Sequence, residues 1–109
     1  MKQKFNVGVA IKYGVRSAVI IEIMIDFFRS AAKSEEYKFD NKIYIPYSEI
    51  SGLVPYMNKI QIAAALRNLI NNNVIQSFNS PFTGQRYTFT DYAKEQFSKK
   101  PIRIQIDWQ

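Results

Sequence analysis

Apolar residues crowd the stretch that begins at Val15. On a helical wheel, Glu22, Asp26, Arg29, Ser30 and Lys33 gather on one narrow face. Ala18, Val19, Ile20, Ile21, Ile23, Met24, Ile25, Phe27 and Phe28 cover the rest. An apolar arc wider than half the circumference predicts a helix over residues 15–33 that is central in the fold or shared with a second subunit. The shorter segment from Val7 to Tyr13 predicts a leading helix capped by Gly14.

The pattern then changes period. Tyr37-Lys38-Phe39 and Ile43-Tyr44-Ile45 flank Asp40-Asn41-Lys42, which predicts a short hairpin. Ser48 is placed to cap a helix through Glu49, Ile50 and Leu53 that Pro55 stops. Asn58 is placed to cap another that runs to about Asn72. Only Pro55-Tyr56-Met57 separates the two, the short connection of a helix-turn-helix. Val74 to Phe78 and Arg86 to Phe89 alternate as strands around the turn-rich Asn79 to Gly84. Thr90 or Asp91 caps a last short helix through Tyr92, Ala93 and Phe97. The tail from Ile102 to Trp108 alternates strictly, so it requires a partner: the Phe5-Val7-Val9 segment, a sheet edge or another subunit.

This order predicts an α+β fold, a winged helix-turn-helix that is mainly α with a small antiparallel β wing. Residues 1–98 form the domain and residues 99–109 a basic, strand-like tail. The chain has 109 residues, 47 % hydrophobic and 15 % aromatic, which suits one globular domain. It contains neither cysteine nor histidine. Disulfides, thiolate chemistry, the commonest metal ligand and the commonest general base are therefore excluded. Glu22 and Asp26 lie one turn apart near Arg29 and read as solvated surface; Glu35-Glu36 falls in a loop. Neither pair has a third group to make an acid/base site, and no phosphate-binding loop or dinucleotide motif is present. The expectation is a protein without cofactor or metal that is not an enzyme. Nothing resembles a signal peptide, and Val15 to Phe28 is too short and too charged to span a bilayer, so a cytoplasmic location is expected, with no membrane partner.

Net charge is +6, and its distribution is more informative than its size. No acidic residue occurs between Glu49 and Asp91, while Lys59, Arg67 and Arg86 fall inside that interval. A polyphosphate partner requires such a surface, because each carboxylate there would repel it.

The chain also resembles the N-terminal winged-helix domains of phage replisome organisers and DnaD-type replication proteins. The resemblance rests on Ala10-Ile11-Lys12-Tyr13-Gly14, on Pro55-Tyr56-Met57, and on the spacing of Ile62, Ala65, Leu66 and Leu69. It covers residues 8–92 and implies a double-stranded DNA partner in replication initiation or transcriptional regulation. Two departures accompany it. The family usually carries two basic residues where Ala63 and Ala64 stand here, and it continues into a second domain.

The candidate DNA-binding residues are Asn58, Lys59, Ile60, Gln61, Ala64, Arg67, Asn68 and Arg86. In a recognition helix Gln61 suits adenine, Arg67 guanine and Ile60 a thymine methyl, while Asn58 and Lys59 suit a phosphate. Ile62, Ala65, Leu66, Leu69 and Ile70 would form the buried stripe opposite. Arg86 beside Gly84 and Gln85 suits a phosphate or the minor groove, and Lys99, Lys100 and Arg103 suit additional backbone contacts. The alternative is an adaptor or inhibitor that binds a protein through Ile60, Ala63 and Ala64. A homodimer would be built on the broad face of the first long helix or on the C-terminal strand.

Overall fold

The computed structural model describes residues 2–32, 37–39, 42–80, 84–97 and 103–107. Helix α1 (Val7–Tyr13) starts where the Asn6 side chain accepts a hydrogen bond from the Val9 N–H at 3.1 Å. It ends at Gly14, whose φ of 94° is open to glycine and strained for other residues. The Gly14 N–H bonds back to Ala10 at 2.8 Å, and helix α2 (Val15–Ala31) starts immediately after it.

The breadth of α2's apolar arc is filled by its own chain. Val19, Ile20, Ile21 and Met24 are buried against α1, against α3 (Tyr47–Leu53) and against α4 (Lys59–Asn71). Of the two positions expected for α2, the central one is found, and the helix ends at Ala31 with Lys33 outside the described residues. Glu22 departs from expectation: it is 5 % exposed, so it belongs to the packed side of α2 and not to its solvated face. Asp26 and Arg29 do form that face, 3.7 Å apart in an exposed pair.

Strand β1 (Lys2–Asn6) pairs antiparallel with the last strand, from Phe5 opposite Ile104 to Lys2 opposite Asp107. The tail therefore finds its partner at the other end of the same chain. The expected hairpin forms as β2 (Lys38–Phe39) against β3 (Lys42–Ile43), but its second arm divides. Tyr44 donates its N–H to Tyr37, and the chain turns into β4 (Ile45–Pro46), which joins a different sheet. Pro46, which has no N–H to give a ladder, sits on an outer strand and occupies the N-cap position of α3. Ser48 is thus the second residue of the helix and makes no cap; its carbonyl accepts from the Ser51 hydroxyl.

Helix α4 follows the expected limits. Asn58 and Gln61 form a reciprocal capping box, with the Asn58 side chain accepting from the Gln61 N–H at 2.8 Å and Gln61 Oε1 accepting from the Asn58 N–H at 3.0 Å. Ile62, Ala65, Leu66 and Leu69 are buried, whereas Ile70, expected in the same stripe, is 39 % exposed. Asn73 takes φ 59°, a left-handed conformation that asparagine tolerates, and this reverses the chain into β5 (Ile75–Ser80).

Strand β6 (Gly84–Phe89) pairs with β5 from Ile75 opposite Phe89 to Ser80 opposite Gly84. It also takes β4 on its other edge, giving a three-stranded antiparallel sheet in the order β4-β6-β5. Thr90 ties the layout together. Its hydroxyl donates to the Asn73 carbonyl at 2.6 Å and accepts from the Ala93 N–H, so it caps α5 (Asp91–Phe97) while holding the end of α4. Strand β7 (Arg103–Asp107) closes the chain. Among the described residues the fold is α+β, with five helices and this small sheet around one apolar core.

Candidate nucleic-acid interface

The side of α4 opposite its buried stripe is open to water. Lys59, Ala63, Ala64 and Arg67 are exposed, and Ile60 is 80 % exposed despite its size. With Ala63 and Ala64 it adds an apolar spot to a face that otherwise carries Lys59 and Arg67. The cap of α4 also orients the first turn, where the helix dipole favours an anion.

Two concavities flank this face. On the sheet side, Lys59 borders the same cleft as Tyr47 and Ser48 from the start of α3 and Gly84, Gln85 and Tyr87 from β6. Burial, and then the neighbouring Tyr47, raise the Tyr87 hydroxyl above its usual range, so it stays protonated and able to donate. On the other side, Gln61, Ala64 and Asn68 border a cleft with Tyr13, Arg16 and Ser17. Helices α3 and α4 and the β5–β6 hairpin thereby border one cleft with Lys59 at its margin, and Arg16 borders the cleft on the other side of α4.

The expected residues do not all share one position in this surface. Lys59, Ile60, Ala64 and Arg67 stand on the open face of α4. The amides of Gln61 and Asn68 are engaged within the fold. Gln61 Oε1 completes the cap, and Asn68 Nδ2 donates to the Tyr13 carbonyl at 2.9 Å and to the Ser17 hydroxyl at 3.1 Å. Reading adenine takes both atoms of a side-chain amide, so these two are held as braces in the free protein. Arg86 lies half-buried on the central strand, opposite Pro46 on one edge and Phe78 on the other, and not at the tip of the hairpin. The hairpin's tip, residues 81–83, and the basic pair Lys99 and Lys100 lie outside the described residues.

Arg16 is the addition. Its place in sequence, after Gly14 at the head of an apolar helix, carries no sign of a role. It reaches the interface because α2 packs across α4 at Ser17 and Asn68, a long-range contact that no local pattern reveals. Lys12, nearer α5, is held charged: hydrogen bonds to Tyr13 and to Tyr92, the latter at 3.5 Å, raise its pKa.

No protein-family model, curated protein or solved structure matches the chain. Among the described residues no helix is long and apolar enough to cross a membrane.

Proposed function

We propose that this chain is a winged helix-turn-helix module that binds double-stranded DNA, with α3 and α4 as the helix pair and the β5–β6 hairpin as the wing. The observation that carries this reading is the shared cleft: Lys59 at the head of α4 and Gly84 and Gln85 of the hairpin border one concavity. Lys59, Gly84, Gln85 and Tyr87 of that cleft fall in the stretch of chain between Glu49 and Asp91, which carries no carboxylate side chain.

In this reading α4 enters the major groove. Arg67 has the geometry for a guanine edge, Ile60 and Ala64 offer apolar contact to a thymine methyl, and Lys59 meets the backbone. Arg16 adds a second phosphate contact across the groove, and the hairpin carrying Arg86 supports the neighbouring backbone. With Gln61 and Asn68 already bonded, few side chains remain to read bases. Affinity would then come mostly from counterion release and depend steeply on salt. The resemblance to replisome-organiser domains favours replication initiation as the process, with transcriptional regulation the other use of the same module.

Fluorescence anisotropy of a labelled random duplex across a salt series tests this reading. The expected result is micromolar binding whose salt slope falls by about one when Lys59 or Arg67 is replaced by alanine. Absence of binding at low salt would exclude the DNA role for the isolated chain.

A second reading, a protein-binding adaptor, is favoured by one observation. Ile60 is 80 % exposed beside Ala63 and Ala64, where a DNA-binding helix would gain more from cations. Loss of a defined heteromeric complex in Ile60→Lys, with DNA binding intact, would point to this use. Of the two surfaces expected to carry a homodimer, α2 buries Val19, Ile20, Ile21 and Met24 within the chain, and β7 pairs one edge with β1.

A further inference from the structure

Away from α4, a groove runs between α2 and α3. Ile23, Phe27 and Leu53 give it an apolar floor, and Asp26, Ser30 and Glu49 give it a polar rim that, among the described residues, includes no lysine or arginine. Leu53 is 42 % exposed, a large side chain left in water at the end of a short helix. The groove is held in shape before any partner arrives. The Tyr37 ring packs edge-on against Phe27 with centroids 4.9 Å apart, and the Tyr37 hydroxyl donates to Glu49 Oε1 at 3.5 Å. One residue thus fixes both an aromatic wall and a rim carboxylate.

Charge selects the occupant. Glu22, Asp26, Glu35, Glu36, Asp40 and Glu49 are six of the nine acidic residues in a chain of net charge +6, and all precede the acid-free interval that carries α4 and the hairpin. Glu49 and Asp26 place two of those carboxylates on the groove itself. Such a rim repels nucleic acid and attracts cations, while the floor requires apolar side chains. Arg29 lies 3.7 Å from Asp26, and that pair is exposed, so releasing Asp26 to another partner costs little.

We propose that the α2–α3 groove is a docking site for a segment of another protein that presents a lysine or arginine beside apolar side chains, as an amphipathic basic helix does. The site lies apart from the α4 face, so a partner held here leaves that face open.

The test uses the full chain and two labelled synthetic peptides, an amphipathic leucine–lysine helix and its leucine–glutamate counterpart, read by anisotropy. The lysine peptide should bind with a salt-sensitive, micromolar Kd and the glutamate peptide should not. Asp26→Lys with Glu49→Lys should weaken the lysine peptide at least about tenfold, the scale of a lost close charge pair. Leu53→Gln should weaken it severalfold without changing the thermal midpoint, since that side chain is already half in water. Equal binding of both peptides, no saturable binding, or unchanged affinity in the charge-reversed variant would overturn the proposal. So would light scattering that shows the chain dimerising and Leu53→Gln returning it to monomer, because the occupant would then be a second copy.

Discussion

Along α2, Val19, Ile20, Ile21 and Met24 lie on more than one side of the helix and all are shut away from solvent, whereas α4 buries Ile62, Ala65, Leu66 and Leu69 in a single stripe and leaves Lys59, Ile60, Ala64 and Arg67 in water. Both are long helices of one small core, yet one is enclosed and the other half-used. The difference follows from position. α2 is packed by β1, α1, α3, β4 and α4 together, while α4 is covered mainly by α2 and the head of β5. A helix enclosed on most sides contributes stability, and α2 keeps only the edge carrying Asp26 and Ser30 open beside α3. A helix at the margin can lend one side to function at small cost in stability.

Substitution separates the two roles, with the largest effects expected in α2. Met24→Ala should remove about 2–5 kcal/mol of stability by opening a cavity where nothing can collapse freely. Ile60→Ala on α4 should stay within about 0.5 kcal/mol by the same denaturant titration. Comparable losses would mean that α4's outer face is packed after all. Between these extremes lies Asn68→Ala, which leaves the Tyr13 carbonyl and the Ser17 hydroxyl without their donor; a loss of about 1–2 kcal/mol is expected. Asn58→Ala, which removes half of the capping box, should cost about 1 kcal/mol in thermal denaturation.

A further effect concerns pH. Burial pushes the Tyr56 hydroxyl from 10.0 up to about 12, so the folded chain keeps a proton that the unfolded chain releases earlier. The stability due to this neutral hydroxyl is intact below pH 10 and is lost as pH rises toward 12. Tyr56→Phe should flatten that alkaline decline, as read from urea midpoints across the window. An unchanged slope would place the cause in another group.

The helices were largely legible in the sequence because their signals are local. Gly14 marks one boundary, Asn58 another, and the density of apolar residues in α2 already announces a helix that is central or shared with a second subunit. What local patterns could not carry was pairing across the chain. Pro46 joins β6 as part of an edge strand, and α3 begins directly after it at Tyr47, ahead of the expected cap at Ser48. Glu22 reads as surface because it shares a helical face with Asp26 and Arg29, and only the packing around α2 reveals that this end of the face is buried. The candidate site divides in the same way. Lys59, Ile60, Ala64 and Arg67 followed from helical spacing alone. The engagement of Asn68 and the arrival of Arg16 depend on how α2 crosses α4, which no spacing records.

The most direct measurement is a map of backbone amide shifts in the full chain as a short duplex DNA is added. Saturable changes should centre on Lys59, Ala64 and Arg67 and extend to Gly84 and Gln85, with Ser30 and Leu53 in the α2–α3 groove unmoved. Shifts centred on that groove, or an α4 face that does not respond at saturating DNA, would contradict a DNA-binding role for the marginal helix.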